Sequence, residues 1–290
     1  MPERRTPLGR FVRSPALISC LVIVALAALW QLASIVFGSS DEAGEPLVPG
    51  WGTLVSDSLP KLSDYWQGKF GLDGAPTGKH TYGYAILAIA SHSIDTWVRL
   101  VLGVLIGSVV GTALGLAVSV SRWARRLAAL PAHILRTLPL LAMVPLFQLW
   151  FGISLSGMVI FIAYGIGVVF FAATINAVGN VDPVYIANAR TLGAPTPVIY
   201  RTVIMPAIFP ELRSAILLCL GLAWSLVLGA EYLGAQTGLG QIIVYSELFG
   251  YVDRMFIVAL VFVVYAALSY VAFARVSARF TDWVPRAPAR

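Results

Sequence analysis

Side chains that could do chemistry are few in this chain, and they are scattered. The two cysteines, Cys20 and Cys219, lie in apolar stretches without CxxC spacing, so they indicate neither a disulfide framework nor a metal site. The three histidines, His80, His92 and His133, occur singly and form no readable metal cluster. No nucleophile–base arrangement and no GxxxxGK[ST] phosphate-binding motif occurs, so the chain cannot cradle ATP itself. We therefore predict no catalytic residue, no metal site and no cofactor in this chain.

Charged residues are also scarce. They make up 12% of the chain, whereas soluble globular chains have roughly 25%. Apolar residues make up 58%, and the mean hydropathy is +0.82. A chain so poor in charge cannot cover a water-facing surface, which excludes a soluble enzyme, and the excess of apolar residues excludes disorder. We interpret the chain as an integral membrane protein that contacts lipid, and its net charge of +6 as positive-inside bias rather than nucleic-acid binding.

Uncharged stretches locate the membrane spans, because about 20 apolar residues are needed to cross about 30 Å of hydrocarbon. The longest stretch, residues 137–181, is long enough for two helices and is interrupted at Gly152 and Gly157. Pro139 and Pro145 predict a kink in the third span, because each removes a backbone hydrogen bond. The six predicted spans are roughly 16–37, 96–120, 131–150, 157–177, 208–230 and 255–275.

The arginines predict the orientation of these spans. Positive charge marks cytoplasmic segments, and six spans place one arginine-rich set of segments on the same side. This set comprises Arg4, Arg5, Arg10, Arg13, Arg122, Arg125, Arg126, Arg190, Arg201, Arg275, Arg279, Arg286 and Arg290. We therefore predict cytoplasmic tails at residues 1–15 and 276–290 and an outer loop at 38–95. The first segment is interpreted as a retained span, because its 27 uncharged residues exceed the apolar region of a typical signal peptide.

The outer loop 38–95 is rich in proline and glycine, which predicts turns rather than a domain. Residues 54–66 are predicted to form a short surface helix, with Trp51, Tyr65 and Trp66 near the lipid headgroups. An interfacial anchor is favoured over a ligand site for this helix. Residues 68–84 make the loop long, and the sequence assigns them no role.

Four glycines in the second span are spaced by four residues, at Gly103, Gly107, Gly111 and Gly115. Four residues turn a helix by about 400°, so the glycines form one slowly drifting stripe. Such a stripe allows a neighbouring helix to approach closely in a membrane. We predict that it packs against another helix; lining a pore is the alternative.

The connection between the fourth and fifth spans predicts a short capped helix. Asp182 can cap the first N–H groups and Pro183 suits the first turn. Gly193 can end the helix in a left-handed conformation about two turns later. An exposed helix between two spans suits docking to a partner, although a surface helix without a partner explains these residues equally well.

The same connection resembles the E-A-A-x3-G-x9-I-x-L-P signature of the inner-membrane permease subunits of binding-protein-dependent ABC importers. The matching residues are Ala187-Asn188-Ala189, Gly193 and Val203-Ile204-Met205-Pro206. Similarity to the nitrate/sulfonate/taurine branch extends over roughly residues 85–275, with further matching segments at Arg99, 121–126, Pro131, 136–142, 145–152 and 238–240. The resemblance implies an all-α, six-helix bundle of the type I importer permease kind, with a five-helix core at 96–275 and a coupling loop at 178–206.

The resemblance also implies partners and site residues. Two copies of an ABC ATPase would bind ATP, an extracytoplasmic binding protein would deliver a small organic anion, and two permease subunits would form a homodimer. The ATPase-coupling residues would be Ala187, Asn188, Ala189, Arg190, Leu192, Gly193, Met205 and Pro206. The signature's acid is replaced by Ala187 and its first alanine by Asn188, which removes a salt bridge but keeps the spacing. Sulfonates, taurine, aromatic carboxylates and nitrate all fit this branch.

Polar residues inside the spans are candidates for the translocation path, because polar groups facing lipid are costly. They are Gln148, Tyr164, Thr174, Asn176, Trp224 and Ser225, and helix–helix hydrogen bonding explains each of them equally well. The main alternative is an ion-driven secondary transporter, which needs intramembrane acids or an inverted repeat. The predicted spans have no acid away from their edges, since Glu211 and Glu231 lie at the two ends of the fifth, and no internal duplication is visible. A scaffold protein would leave the signature unexplained.

Overall fold

The computed structural model describes residues 15–38, 47–69, 72, 80–232 and 234–279. Within these ranges the chain is all-helical. The main helices are α1 (Pro15–Phe37), α2 (Tyr82–Ser119), α3 (Arg122–Thr137), α4 (Leu140–Phe151), α5 (Leu155–Asn180), α6 (Pro183–Thr191), α7 (Met205–Tyr232), α8 (Leu239–Leu248) and α9 (Val252–Arg279). Shorter helical pieces precede α2 and α7, at Trp51–Thr53, Leu54–Ser58, Leu59–Lys61, Leu62–Tyr65, Thr196–Ile199 and Tyr200–Ile204.

Five helices are long and apolar enough to cross a membrane: α1, α2, α5, α9, and α7 together with the turns before it. The pair α3 and α4 adds a sixth crossing if the two are counted as one broken span. The prediction of an all-α membrane protein is therefore confirmed for the part of the chain that the structure describes, with five spans, or the predicted six when α3 and α4 are counted as one.

The helix that contains the second predicted span begins earlier than that span. The span was expected to start at residue 96, after an outer loop extending to residue 95, whereas α2 begins at Tyr82 and runs for 38 residues. About 20 residues suffice to cross the hydrocarbon, so the residues before 96 extend this helix into the predicted outer loop. Arg99 lies inside the helix as a buried ion pair with Glu231, so its charge does not end the apolar segment.

The third span is broken rather than kinked. α3 and α4 are bent by 94° at a break after Thr137. Pro139 is the residue before α4, and its backbone is extended. Proline has no N–H to donate to a helical hydrogen bond, so the helix is interrupted here. Pro145, in contrast, stays inside α4. The predicted separation from the fourth span is confirmed, since residues 152–154 connect α4 to α5.

The ends of the chain and the outer loops also differ from the predicted boundaries. α9 continues to Arg279, so the expected tail from residue 276 starts later. α8 occupies a connection in which no helix was predicted. The predicted N-terminal tail up to residue 14, the last residues from 280, and most of the unassigned loop segment (70–71 and 73–79) lie outside the described residues.

One compact unit comprises the described residues up to Ala88 together with Tyr245–Val258. Its helical stretch after residue 50 is fixed to α1, because Trp51 Nε1 donates a hydrogen bond of 3.0 Å to the carbonyl of Ala27. Trp66 is buried in the fold. The Trp66 side chain is therefore packed inside the protein, whereas the sequence predicted a place near the lipid headgroups.

The second unit, Ile89–Val244 with Ala259–Arg290, contains the candidate sites. α5 lies at its centre, with α3, α4 and α7 packed against it. Ser154 begins α5 by accepting a hydrogen bond of 3.1 Å from the N–H of Gly157. Phe161, Ile162 and Ile166 are among its fully buried side chains. The helices that carry candidate site residues are therefore arranged around one buried helix.

Candidate functional site

Both ends of α6 have the caps that the sequence predicts. Asp182 Oδ1 accepts a hydrogen bond of 2.9 Å from the N–H of Val184, and Pro183 occupies the first turn. At the other end, Gly193 has φ +78°. Its N–H donates to the carbonyl of Arg190, and the next N–H donates to the carbonyl of Ala189. This pair of bonds satisfies the last helical carbonyls and requires a left-handed residue, which glycine supplies without strain.

The inner side of α6 packs on the bundle through Ile186 and Ala189. These residues contact a buried cluster that consists of Ala177, Val178, Ile199, Ile204 and Ile208. The contact holds the short helix in a defined place, although an isolated helix of nine residues would be marginal in water.

The outer side of α6 is exposed and partly apolar. Val184 is 57% exposed, Tyr185 is 62% exposed, and Leu192 is 87% exposed. Ala187 and Asn188 are also exposed. Tyr185, Asn188 and Leu192 are separated by three and four residues, so they follow one helical row. The helix therefore presents an apolar side chain beyond its last turn, on a surface that no other described residue covers.

The segment that leads from α6 into α7 contains a widened helical turn at Tyr200–Ile204. Pro206 explains this turn, since its ring lacks an N–H and would collide with the carbonyl four residues earlier in a regular α-helix. Met205 closes the turn by donating its N–H to the carbonyl of Tyr200. Met205 and Pro206 remain exposed, at the start of α7.

The glycine stripe of α2 lies buried against α5. A Cβ added to Gly103 would come 2.5 Å from Ile162 Cγ2, and one added to Gly107 would come 2.6 Å from the carbonyl oxygen of Ala163. A Cβ added to Gly111 would overlap the carbonyl of Gly167, and one added to Gly115 would overlap the side chain of Thr174. Side chains at these positions would push α2 and α5 apart.

The candidate path residues lie in different places. Ser225 borders a cavity of about 380 Å³, and Tyr164 borders another of about 420 Å³, beside Gly107 and Gly111. Gln148 lies at a smaller cavity between α4 and α5. Among the described residues, Ser225, Tyr164 and Gln148 therefore border three different cavities.

The other intramembrane polar residues have local roles or are exposed. Trp224 is buried, donates a hydrogen bond of 3.0 Å to Ser269 Oγ, and meets Trp97 edge to face. Thr174 donates to the carbonyl of Phe170, while Asn176 is exposed. For Trp224 the observed contact is thus a hydrogen bond between helices.

A buried polar cluster joins α2, the end of α7 and the loop before α8. Glu231 has no exposed surface. Its carboxylate accepts hydrogen bonds from Arg99, from Thr96 Oγ1 at 3.0 Å and from the N–H of Gly240 at 2.8 Å. Arg99 also donates to the carbonyl and the hydroxyl of Thr237, at 2.7 and 2.8 Å. Two opposite charges buried together are tolerated because each is neutralised and hydrogen-bonded.

Two glycines of the loop make room for this cluster. A Cβ on Gly238, whose φ is +112°, would overlap Arg99 and come 2.5 Å from Glu231 Cδ. A Cβ on Gly240 would come 2.6 Å from Glu231 Cβ. The sequence interpretation noticed the Gly238–Gly240 segment only as a resemblance, and for Glu231 it left open an arginine or a backbone N–H as the partner; the structure shows both, Arg99 and the N–H of Gly240. The sequence signal that could have indicated this ion pair was an arginine inside one apolar run together with an acid at the edge of another span.

The described residues contain no group of three or more histidine, cysteine, aspartate or glutamate side chains that could hold a metal ion. Residues 99–282, more than half of the chain, match the family described as "Binding-protein-dependent transport system inner membrane component". The chain belongs to this family. It is therefore an inner-membrane transport component. The connection between spans four and five resembles the signature of this kind of protein. The family is one of transport permeases rather than enzymes.

Curated relatives extend the match beyond the family region. The permease is 28% identical over 253 residues to the putative aliphatic sulfonates transport permease protein SsuC of Escherichia coli (strain K12), covering 86% of this chain and 84% of that protein. It is 26% identical over 201 residues to the taurine transport system permease protein TauC of the same organism, covering 69% and 73%.

Solved structures show the same fold. An inward-facing conformation of the MetNI methionine ABC transporter aligns with a TM-score of 0.57 at 22% identity, covering 69% of the permease and 98% of that chain. An amino acid ABC transporter with histidines aligns with a TM-score of 0.54 at 20% identity, covering 70% and 96%. The bundle therefore has the fold of type I importer permeases.

Proposed function

We propose that this permease is the membrane subunit of an ATP-driven importer for a small organic anion. In this proposal two copies of the chain form the translocation path, and α6 of each copy docks to one of two ABC ATPase subunits. An extracytoplasmic binding protein delivers the substrate, and ATP is bound only by the ATPases. Both termini and α6 face the cytoplasm, in agreement with the arginine distribution.

The observation that carries the proposal is the exposed row on α6. Tyr185, Asn188 and Leu192 face away from the bundle, while the opposite side of the helix is packed and both ends are capped. A partner that covers Leu192 would gain about 1.5–3 kcal/mol from burying it, because a fully buried leucine side chain is worth that much. Asn188 adds a polar contact at the same surface.

The ATPases would act by moving α6. Closure of the ATPase pair would draw the two α6 helices together and bias the bundle from an inward-facing to an outward-facing state. Since α6 packs on the end of α5 and on the turns before α7, its displacement has a direct route into the bundle. The permease supplies the two-state element, and the ATPase supplies the differential binding energy that shifts it.

The anionic substrate class is supported by the names of the relatives, which include permeases for aliphatic sulfonates and taurine. The path would involve the predicted polar residues: Gln148, Tyr164 and Ser225, which border three separate cavities, together with Asn176 and Trp224. The ion-driven secondary transporter is not favoured, because the intramembrane acid Glu231 is already neutralised by Arg99.

Replacing Gly193 by valine tests the coupling role. The positive φ makes any Cβ costly, by about 1 kcal/mol, and the branched side chain would also obstruct the ATPase surface. We expect the variant to insert and fold but to co-purify poorly with the ATPase and to lose substrate-stimulated hydrolysis in reconstituted membranes. Gly152→Val is the matched control, because Gly152 also has positive φ and open space around its Cβ position, but lies between α4 and α5.

A second variant separates docking from backbone strain. Leu192→Ser removes an apolar side chain that is 87% exposed, so the fold should be unaffected. ATPase affinity should fall by roughly tenfold, which corresponds to about 1.4 kcal/mol of lost apolar burial. Leu248→Ser, at the end of α8, is the control for the same change on another exposed residue. Normal assembly and hydrolysis in both Gly193→Val and Leu192→Ser would refute the coupling role.

A further inference from the structure

A polar cavity lies behind α6, between this helix and the rest of its unit. Its volume is about 340 Å³, and it is lined by the start of α3, the end of α5, α6 itself and the turns before α7. Arg125 of α3, Arg190 of α6 and Tyr200 all contribute to the lining. No acidic residue is among the lining residues. The cavity therefore combines two guanidinium groups and a phenol without a counter-charge.

Neither of these two arginines has an acidic counter-charge among the described residues. Within the described ranges neither Arg125 nor Arg190 forms an ion pair or a side-chain hydrogen bond, whereas Arg99 and Arg254 each pair with an acid. Arg125 Nη1 lies 3.9 Å from the position of a Cβ built on Gly179, near the last turn of α5. The carbonyl end of a helix favours a cation there but carries only about half an elementary charge.

We propose that this cavity binds an oxyanion group, a phosphate or a sulfonate, held by Arg125, Arg190 and the hydroxyl of Tyr200. Guanidinium groups suit this chemistry, because their planar N–H pairs match two oxygens of one anionic group. The volume lies within the roughly 300–1,000 Å³ that is usual for small-molecule pockets. An oxyanion would also neutralise two like charges that line the same space.

Binding would connect α6 to the bundle. Arg190 belongs to the proposed coupling helix and Arg125 to α3, so one bound oxyanion would bridge the two elements and restrict the displacement of α6. This regulatory consequence rests on the proposed function, whereas the binding itself does not. The group has two sources with the same chemistry, the phosphate of an anionic lipid headgroup and a free oxyanion in solution.

Thermal unfolding of the full-length permease in phosphatidylcholine nanodiscs tests the free-anion source. Inorganic phosphate and, separately, taurine are titrated against sodium chloride of equal ionic strength. We expect at least one of the two to raise the unfolding temperature saturably in the unmodified chain, with affinity reduced about tenfold or more in Arg125→Gln, since a hydrogen bond to a charged group is lost. Arg126→Gln is the matched control, because Arg126 is exposed on the same helix and does not line the cavity.

A second arm replaces part of the phosphatidylcholine by phosphatidylglycerol. Stabilisation by this lipid alone, lost in Arg125→Gln and in Arg190→Gln, assigns the cavity to a headgroup; Arg190→Gln also serves if Arg125→Gln does not fold. Absence of stabilisation in both arms overturns the proposal, as does equal loss in Arg126→Gln. Lost ATPase co-purification without any phosphate, taurine or lipid effect would assign Arg125 to a protein carboxylate instead. None of the binding measurements needs the ATPase, so failure of the coupling proposal would leave them interpretable.

Discussion

Removing Arg99 should destabilise the permease more than any surface charge change, because it leaves the carboxylate of Glu231 buried without its cation. Arg99 donates three hydrogen bonds, to Glu231 and to the carbonyl and hydroxyl of Thr237. Loss of one partner of a buried ion pair costs about 3–5 kcal/mol in soluble proteins. Hydrogen bonds between membrane helices average only about 0.6 kcal/mol. Which of these two free-energy costs applies to Arg99 depends on the groups that still hydrogen-bond the Glu231 carboxylate after the substitution.

The structure favours the lower end of the first range. Without Arg99, Glu231 Oε2 keeps the hydroxyl of Thr96 at 3.0 Å and the N–H of Gly240 at 2.8 Å, which partly compensate its charge. We therefore expect Arg99→Met to lower the free energy of unfolding by about 3 kcal/mol. The double variant Arg99→Met/Glu231→Gln carries no buried charge. It should lose only about 1 kcal/mol, so the two substitutions should be strongly non-additive.

Reversible unfolding in mixed micelles, titrated with sodium dodecyl sulfate and followed by circular dichroism, measures these differences. Arg126→Met is the control, since Arg126 is exposed and a surface substitution should change stability by no more than about 0.5 kcal/mol. The reasoning is refuted if Arg99→Met behaves like Arg126→Met. It is also refuted if the double variant is less stable than Arg99→Met, because removing the orphaned charge should help.

Two further predictions concern the packing of α2 and the orientation of the chain. Gly111→Leu should greatly reduce the folded yield in detergent, measured by size-exclusion chromatography, because its Cβ would overlap the carbonyl of Gly167; Gly221→Leu, with open space around its Cβ position, should not. A normal yield with altered transport selectivity would instead assign the stripe to the path. Reporter fusions after Asp73 and after Arg190 should be active only with outward and cytoplasmic reporters, respectively. An outward Arg190 fusion would exclude both the topology and the coupling role of α6.

Features that depend on neighbouring residues could be predicted from the sequence. The caps of α6 are local, since Asp182 bonds to an N–H two residues away and Gly193 adopts its positive φ within one turn. The separation of α4 from α5 is also local, because Gly152 ends one helix and Ser154 begins the next. The number of spans followed from apolar length alone. In each case a short stretch of sequence contains all the groups that interact.

Features that depend on distant residues could not be predicted in the same way. Arg99 and Glu231 are 132 residues apart, and each looks unfavourable in its own helix until the other is placed beside it. The ion pair therefore explains a charge inside α2 that the sequence of that helix alone does not explain. The break between α3 and α4 was missed for another reason, since proline predicts a disturbance of the helix but the size of the bend depends on what packs around it.

Gly238 and Gly240 belong to a segment that was noticed only through its sequence resemblance, and the structure gives a physical reason for both glycines. Each lies against Glu231, and an added Cβ at either position would collide with the buried carboxylate side chain. The loop must come close enough for the N–H of Gly240 to donate a hydrogen bond to Glu231. Only residues without side chains allow that approach, so the two glycines and the buried acid depend on each other. The same relation holds between the stripe of α2 and the backbone of α5, where Gly107 and Gly111 meet carbonyl oxygens. At these four positions the absent side chain thus marks the close approach of another element, and the buried charges that Gly238 contacts, Arg99 and Glu231, are paired with each other.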